Sequence, residues 1–248
     1  MSGTISPRDQ RALCIPSGNR CAMPECHTVL VVSKTENDRE SIVAVMAHIK
    51  GENPTSARYD PNMPDGRNSY ENLILVCPNC HKVIDDQPNT YTVEKLHEIK
   101  SKHEKWILES TEKEIINITF AELNVVTKFL ISGQFDTSDS IVLIPPKEKI
   151  KRNELSASIE QLITMGMTQV RQVSNYISKS PDVEFGDRLS KGFVTEYERL
   201  KNEENLKGDD LFNALLDFAS GKSNDFKNRA AGLAVLVYLF ERCDVFEK

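Results

Sequence analysis

Cys77-Pro78-Asn79-Cys80-His81 is the stretch whose residue types could do the most chemistry. Two cysteines at C-x-x-C spacing in a tight turn supply two thiolates, half of a tetrahedral zinc site. A histidine directly after them stands at a fixed distance from such an ion. We read the cysteines as structural and His81 as chemical. Upstream, Cys21-Ala22-Met23-Pro24-Glu25-Cys26 forms a second knuckle with four residues between its cysteines, and about fifty residues separate the two pairs. Two knuckles on distant turns can close a four-sulfur zinc site from Cys21, Cys26, Cys77 and Cys80. Free thiols or a redox dithiol are the competing readings. The dithiol would need a thioredoxin-like βαβ setting, and the second knuckle argues against it. His27 follows Cys26 and could replace a cysteine, although a bystander role is simpler.

All five histidines (His27, His48, His81, His97 and His103) precede residue 104, and only Cys243 among the six cysteines comes late. The metal-capable residues therefore mark out an N-terminal half. The formal net charge of −6 and pI near 5.5 argue against a protein that coats nucleic acid through a generally basic surface. An acidic chain acting on nucleic acid needs a bound cation or a partner to offset phosphate repulsion. No apolar run approaches a membrane span, and Met1-Ser2-Gly3-Thr4 lacks the basic-then-apolar order of a secretion signal. The expectation is a reducing cytoplasm, where cysteine pairs bind metal more often than they form disulfides.

Elements must position these residues. Residues 6–16 read as a short helix or turn with Leu13 and Cys14 inward. Val29 to Ser33 is a β-branched strand, residues 34–40 a charged turn, and 41–49 a second strand ending at His48. Residues 51–69, rich in Pro, Gly, Asn and Asp, are a long aperiodic loop, a kind that is usually functional. Asn72 to Val76 is a short apolar run delivering the chain to Cys77. A helix starting near His81 stops before Pro88. Thr92 caps a helix over 93–110 whose inner face is Leu96, Ile99, His103, Trp106 and Ile107, with Trp106 as a core anchor. Lys100, Lys102 and Lys105 read as its solvated face. Beyond residue 112 we expect a brief strand at 115–120, a helix at 120–132, an apolar run at 141–144, and helices near 153–179, 182–206, 209–220 and 224–242. The last is apolar all round and hence central. Asp209 and Asp210 would cap the third, and Cys243 is a buried thiol. No internal repeat or low-complexity tract is present.

A histidine closing a strand, then Asn72-Leu-Ile-Leu-Val-Cys77, then Cys-x-x-Cys-His opening a helix resembles the HNH nucleases over roughly residues 10–110. The resemblance implies an α+β chain whose N-terminal domain (1–112) is a ββα-metal fold stapled by a zinc double knuckle. It implies divalent-metal hydrolysis of phosphodiesters in DNA, with RNA left open. The implied catalytic residues are His48, Asn72 and His81. His48 is the general base, suited by an imidazole that is neutral near pH 7. Asn72 holds the loop and orients His48. His81 is a ligand to Mg2+ or Mn2+, which offsets charge on the scissile phosphate and the leaving oxygen. Asp85, four residues on and on the same helical face, is the expected second ligand. The loop residues Arg58, Tyr59, Arg67 and Asn68 flank the site and are candidate phosphate grips, since arginine offers a bidentate fork, and Lys50 has a similar claim. One position departs from the family. Many members carry an acid or histidine before the general base, and here Ala47 stands there. A second reading follows from Ala47, a zinc-stapled adaptor or nucleic-acid sensor whose catalytic site has decayed.

The remainder (113–248) has no histidine and no catalytic constellation, and by itself reads as a mainly helical interaction domain. Residues 118–126, 143–153 and 236–246 resemble the C-terminal domains of effectors in bacterial ABC-three-component systems. That resemblance implies docking to a middle component and an ABC-type ATPase that controls the effector, in an anti-phage or anti-plasmid role. A homo-oligomer stays open.

Overall fold

A hydroxyl side chain and a proline start the first helix, α1 (Pro7–Cys14). Ser6 Oγ accepts the Asp9 N–H, and Pro7 occupies the first turn, where no N–H is needed. The computed structural model describes residues 4–32, 36–39, 41–63, 65–131, 146–242 and 246. Lys34, Thr35 and Glu40 of the expected charged turn, the run 141–144 and Cys243 lie outside the described residues. The chain is α+β and divides into two compact units, residues 1–109 and 110–248.

In the first unit the expected pair of strands is rearranged. Val29 bridges Arg20 and closes the first knuckle, so the strand shrinks to β1 (Val31–Val32), paired with β2 (Ser41–Ile42). The strand expected to run from 41 to 49 breaks at Val43. Its second half, β3 (Val45–His48), pairs instead with β4 (Leu73–Val76), in the register Val45↔Val76 to His48↔Leu73. The reason is burial. All four β4 residues are buried and need ladder partners inside the core, whereas Ser41 and Ile42 are exposed. The hairpin that carries His48 is therefore closed by residues 49–72 and not by the turn at 34–40.

Beyond β4, α2 (Pro78–Asp86) begins before His81, because Cys77 is its N-cap and Pro78 fits its first turn. α3 (Val93–Ile115) opens on Thr92, whose hydroxyl accepts the Lys95 N–H at 3.3 Å. Leu96, Ile99, His103 and Ile107 are buried as expected. Lys102 and Lys105 are exposed on i,i+4 ion pairs. Lys100 corrects the expectation of a solvated face. It is 7% exposed, its ammonium donates to the Tyr70 carbonyl, and it lies 3.3 Å from the centre of the Tyr70 ring. The Tyr70 hydroxyl donates to Glu104 at 2.8–2.9 Å. This cluster pins the 3-10 turn Tyr70–Asn72, just ahead of β4, to α3.

α3 continues through Ile115, so the strand expected at 115–120 does not form. A turn follows, and a Thr119/Glu122 capping box opens α4 (Phe120–Leu130). The second unit continues with α5 (Pro146–Arg152), α6 (Ala157–Met167), α7 (Val170–Ser178), α8 (Phe185–Asn202), α9 (Gly208–Ala219) and α10 (Phe226–Arg242). The helix expected over 153–179 is split at Thr168–Gln169, where the chain turns between α6 and α7. Asp209 does not cap its own helix. Its carboxylate accepts the Ser156 N–H at the start of α6. α10 is buried from Arg229 to Phe240 and packs on α4, α6, α7 and α9. Lys149 is fully buried and donates to the Phe240 carbonyl at 2.8 Å, a cation at a helix C-terminus.

Two tests follow from this packing. Burial pushes the Lys100 ammonium down to about 8, against the opposing attraction of Glu104 and Glu71. The folded chain thus disfavours protonated Lys100, a cost present in full below pH 8 and relieved as pH rises toward 10.5. Wild-type stability should rise relative to Lys100→Met across that window, read as the difference in denaturant midpoints. At Gly232 a Cβ would lie 2.7 Å from the Ser220 backbone. Alanine's helix propensity favours Gly232→Ala by about 1 kcal/mol. The backbone collision costs about 1–3 kcal/mol and should win, lowering the denaturation midpoint.

Candidate active site

Four sulfurs come together first. Cys21, Cys26, Cys77 and Cys80 place their Sγ atoms within 4.8 Å of one another, with Cys26 and Cys77 at 3.9 Å. Tetrahedral zinc–thiolate geometry puts sulfurs about 3.8 Å apart, so the donor set fits zinc. Local structure builds the cluster. Cys21 N–H bonds to Thr28 O and closes the first knuckle, while Ala22 N–H bonds to Leu75 O and fixes that knuckle on β4. Cys77 N–H donates to Cys21 Sγ at 3.3 Å and Cys80 N–H to Cys77 Sγ at 3.4 Å, the backbone donors that thiolates need. Without metal, burial pushes the Cys21 thiol up to about 11, and burial with the Cys77 contact pushes Cys80 up as well. Burial also raises Cys26, but Thr28 outweighs it and brings that thiol to about 7. A cation binding here must displace protons. His27 is not part of the sulfur cluster. Its ring stacks on Trp106 with centroids 4.2 Å apart, and Trp106 is half-buried.

The second group of side chains lies between the end of β3 and α2. His48 ends β3 opposite Leu73 and is half-buried. Its Nε2 is 2.6 Å from Asn68 Oδ1. An amide oxygen only accepts, so Nε2 carries the proton and Nδ1 holds the lone pair. On α2, His81 Nε2 and Asp85 Oδ2 are 3.2 Å apart, both side chains more than a third exposed. Two donors about 2.1 Å from one cation at a right angle would be about 3.0 Å apart, so the pair fits a shared divalent ion. Asp85 Oδ1 is taken by Arg58 at 2.7 Å. Ala47 is buried and offers no donor.

Asn72 does not touch the His48 ring. Its Oδ1 accepts the Lys50 N–H at 2.9 Å, and its Nδ2 donates to Lys50 O at 3.0 Å and Arg67 O at 2.9 Å. It fastens the two ends of the 49–72 loop, and the ring of His48 is left to Asn68. Three of the residues expected to grip phosphate are committed elsewhere. Arg58, with a side chain 4% exposed, donates to Ile49 O at 2.8 Å, Ile84 O at 2.5 Å and Asp85. Arg67 donates to Gly51 O and Asp60 O, both at 2.5 Å, and lies over the Tyr59 ring. Lys50 pairs with Asp60 at 2.8 Å. A long loop without a ladder leaves carbonyls unpaired, and the guanidinium fork is suited to collecting them. Gly51 is required by the same compaction, because a Cβ there would meet Ala57 O at 2.4 Å.

Beside Asn68 the loop borders an open cleft of about 510 Å3 lined by Thr4, Asn53, Asp65, Arg67, Asn68 and Ser69. Asp9 and Glu52 also reach it, so its carboxylates disfavour phosphate. The sequence signal for the positioning residues was the density of Arg and Asn in an aperiodic loop. It could not say which of them faced inward.

Comparison with known families gives two matches. The model for C-terminal domain 10 of the ABC-three component (ABC-3C) systems matches residues 121–247. The HNH endonuclease model matches residues 58–87, which include Asn72, His81 and Asp85 but not His48. Both matches fall on the families that the sequence resembled. Among curated proteins none matches.

The division between sulfur cluster and histidine pair can be tested directly. Cys77→Ser should lose zinc, measured by metal analysis, and lower the melting temperature of the N-terminal unit. His81→Ala should keep both. Equal zinc loss in the two variants would show that His81 belongs to the zinc site.

Proposed function

Since the chain belongs to the family of C-terminal domain 10 of the ABC-three component systems, we propose that it is a nuclease effector of such a system. In this reading it is a divalent-metal-dependent HNH endonuclease that hydrolyses DNA phosphodiesters in bacterial anti-phage or anti-plasmid defence. Residues 1–112 carry the chemistry. Residues 113–248 dock to the middle component and the ABC-type ATPase in the cytoplasm. The single observation that carries the nuclease reading is the pairing of His81 Nε2 with Asp85 Oδ2 at 3.2 Å, on the helix that follows the hairpin ending in His48.

The residues divide the work. His48 takes the proton of the attacking water at Nδ1, because Asn68 holds the proton on Nε2. Asn72 acts at one remove, by locking the loop that presents Asn68. His81 and Asp85 would hold Mg2+ or Mn2+, and Ala47 would contribute no further ligand. When bound, the cation stabilises charge on the scissile phosphate and the leaving oxygen. Zinc on the four cysteines is structural. The decayed-adaptor reading rests on Ala47 alone, and a decayed site has no reason to retain an oriented His48.

Incubating purified protein with plasmid DNA and Mg2+ or Mn2+, with and without the co-encoded ATPase, separates the two. The wild type should nick or linearise the plasmid in at least one condition. His48→Ala should slow it by a factor on the order of 100 or more. A zinc-loaded wild type that never cuts would instead support the adaptor.

A further inference from the structure

Arg58 stands out for the number of constraints on it. Its backbone is left-handed at φ 57, rare for a branched-chain-sized or larger side chain and a sign of a position held by its surroundings. Its guanidinium joins both sides of the site. Ile49 O and, more weakly, His48 O at 3.5 Å belong to the end of β3, while Ile84 O and Asp85 Oδ1 belong to α2. With 4% of its side chain exposed it has no room to swing into solvent, and arginine stays charged at all accessible pH.

That charge bears on the cation. As a ligand His81 is neutral, and Asp85 contributes one negative charge. Arg58 sits 2.7 Å from the same carboxylate and contributes one positive charge. Ala47 adds none. The His81–Asp85 pair with its arginine therefore presents no net negative charge to a divalent ion. Mg2+ and Mn2+ are hard ions that depend on anionic oxygens, and phosphates commonly supply them. We propose that Arg58 keeps the His81–Asp85 pair electrically neutral, so that the catalytic cation binds together with a DNA phosphate and not before it. This rests on the nuclease reading and adds the order of assembly. It ties the cation to the presence of substrate, which keeps the free protein unloaded. Arg58 is thus a positioning and charge-setting residue that does not touch substrate.

The experiment titrates Mn2+ into full-length, zinc-loaded protein carrying His48→Ala, which slows cutting, and follows free Mn2+ by electron paramagnetic resonance. It is run with and without a short DNA duplex, and the same duplex alone is subtracted. The duplex should tighten Mn2+ binding by about tenfold or more, and Asp85→Asn should abolish that gain. Added Arg58→Gln should tighten duplex-free binding by about tenfold, as expected for removing a unit charge close to the ion. Arg58→Lys, which retains the charge, should not. Zinc content and circular dichroism establish that each variant is folded. If Arg58→Gln fails either check, the duplex dependence of the Arg58-containing protein decides alone. Equal Mn2+ affinity with and without duplex overturns the proposal and leaves the nuclease reading standing. No Asp85-dependent Mn2+ binding in either state overturns that reading as well.

Discussion

Four sulfurs within 4.8 Å of one another are the constraint on which the N-terminal unit depends. Two come from a knuckle bonded to β4 through Ala22 and Leu75, and two from the first turn of α2. Cys77 serves twice, as a member of the cluster and as the N-cap that starts the helix. Any ion that joins these thiolates fixes the first knuckle, the end of β4 and the start of α2 together. His81 and Asp85 then inherit their position from the helix, one and two turns beyond the cap. Burial holds the Cys21 and Cys80 thiols above their ordinary range, so an ion that binds here must displace their protons.

The 49–72 loop supplies the other half of the site by a different principle. It has no ladder to satisfy its carbonyls, and it uses Arg58, Arg67 and Asn72 for that purpose. The result is a braced segment that carries Asn68 to the His48 ring. Lys100, buried against Tyr70 and Glu104, anchors the far end of the loop to α3. Cations that a surface reading would aim at phosphate point inward instead.

The second unit follows simpler rules. One helix, α10, is buried along most of its length, and its neighbours pack around it closely enough to require Gly232 against Ser220 and Gly166 against Val237. A core of this kind needs apolar periodicity and small residues at close approaches.

Residue type and spacing by themselves determined the two cysteine knuckles, the candidate histidines and the apolar α10. These are local or compositional properties: thiolate pairs at turn spacing, or an apolar run too long to be exposed. Tertiary structure alone decided which strand pairs with which, because β3 pairs with the wholly buried β4 and not with the more exposed strand before the 34–40 turn, for reasons of solvation that no short window contains. It also decided that Asn68 and not Asn72 faces His48, and that Arg58 faces Asp85 and not a phosphate. Each of those choices depends on where an aperiodic loop places its side chains, and that is set by carbonyls and carboxylates brought close from distant parts of the sequence.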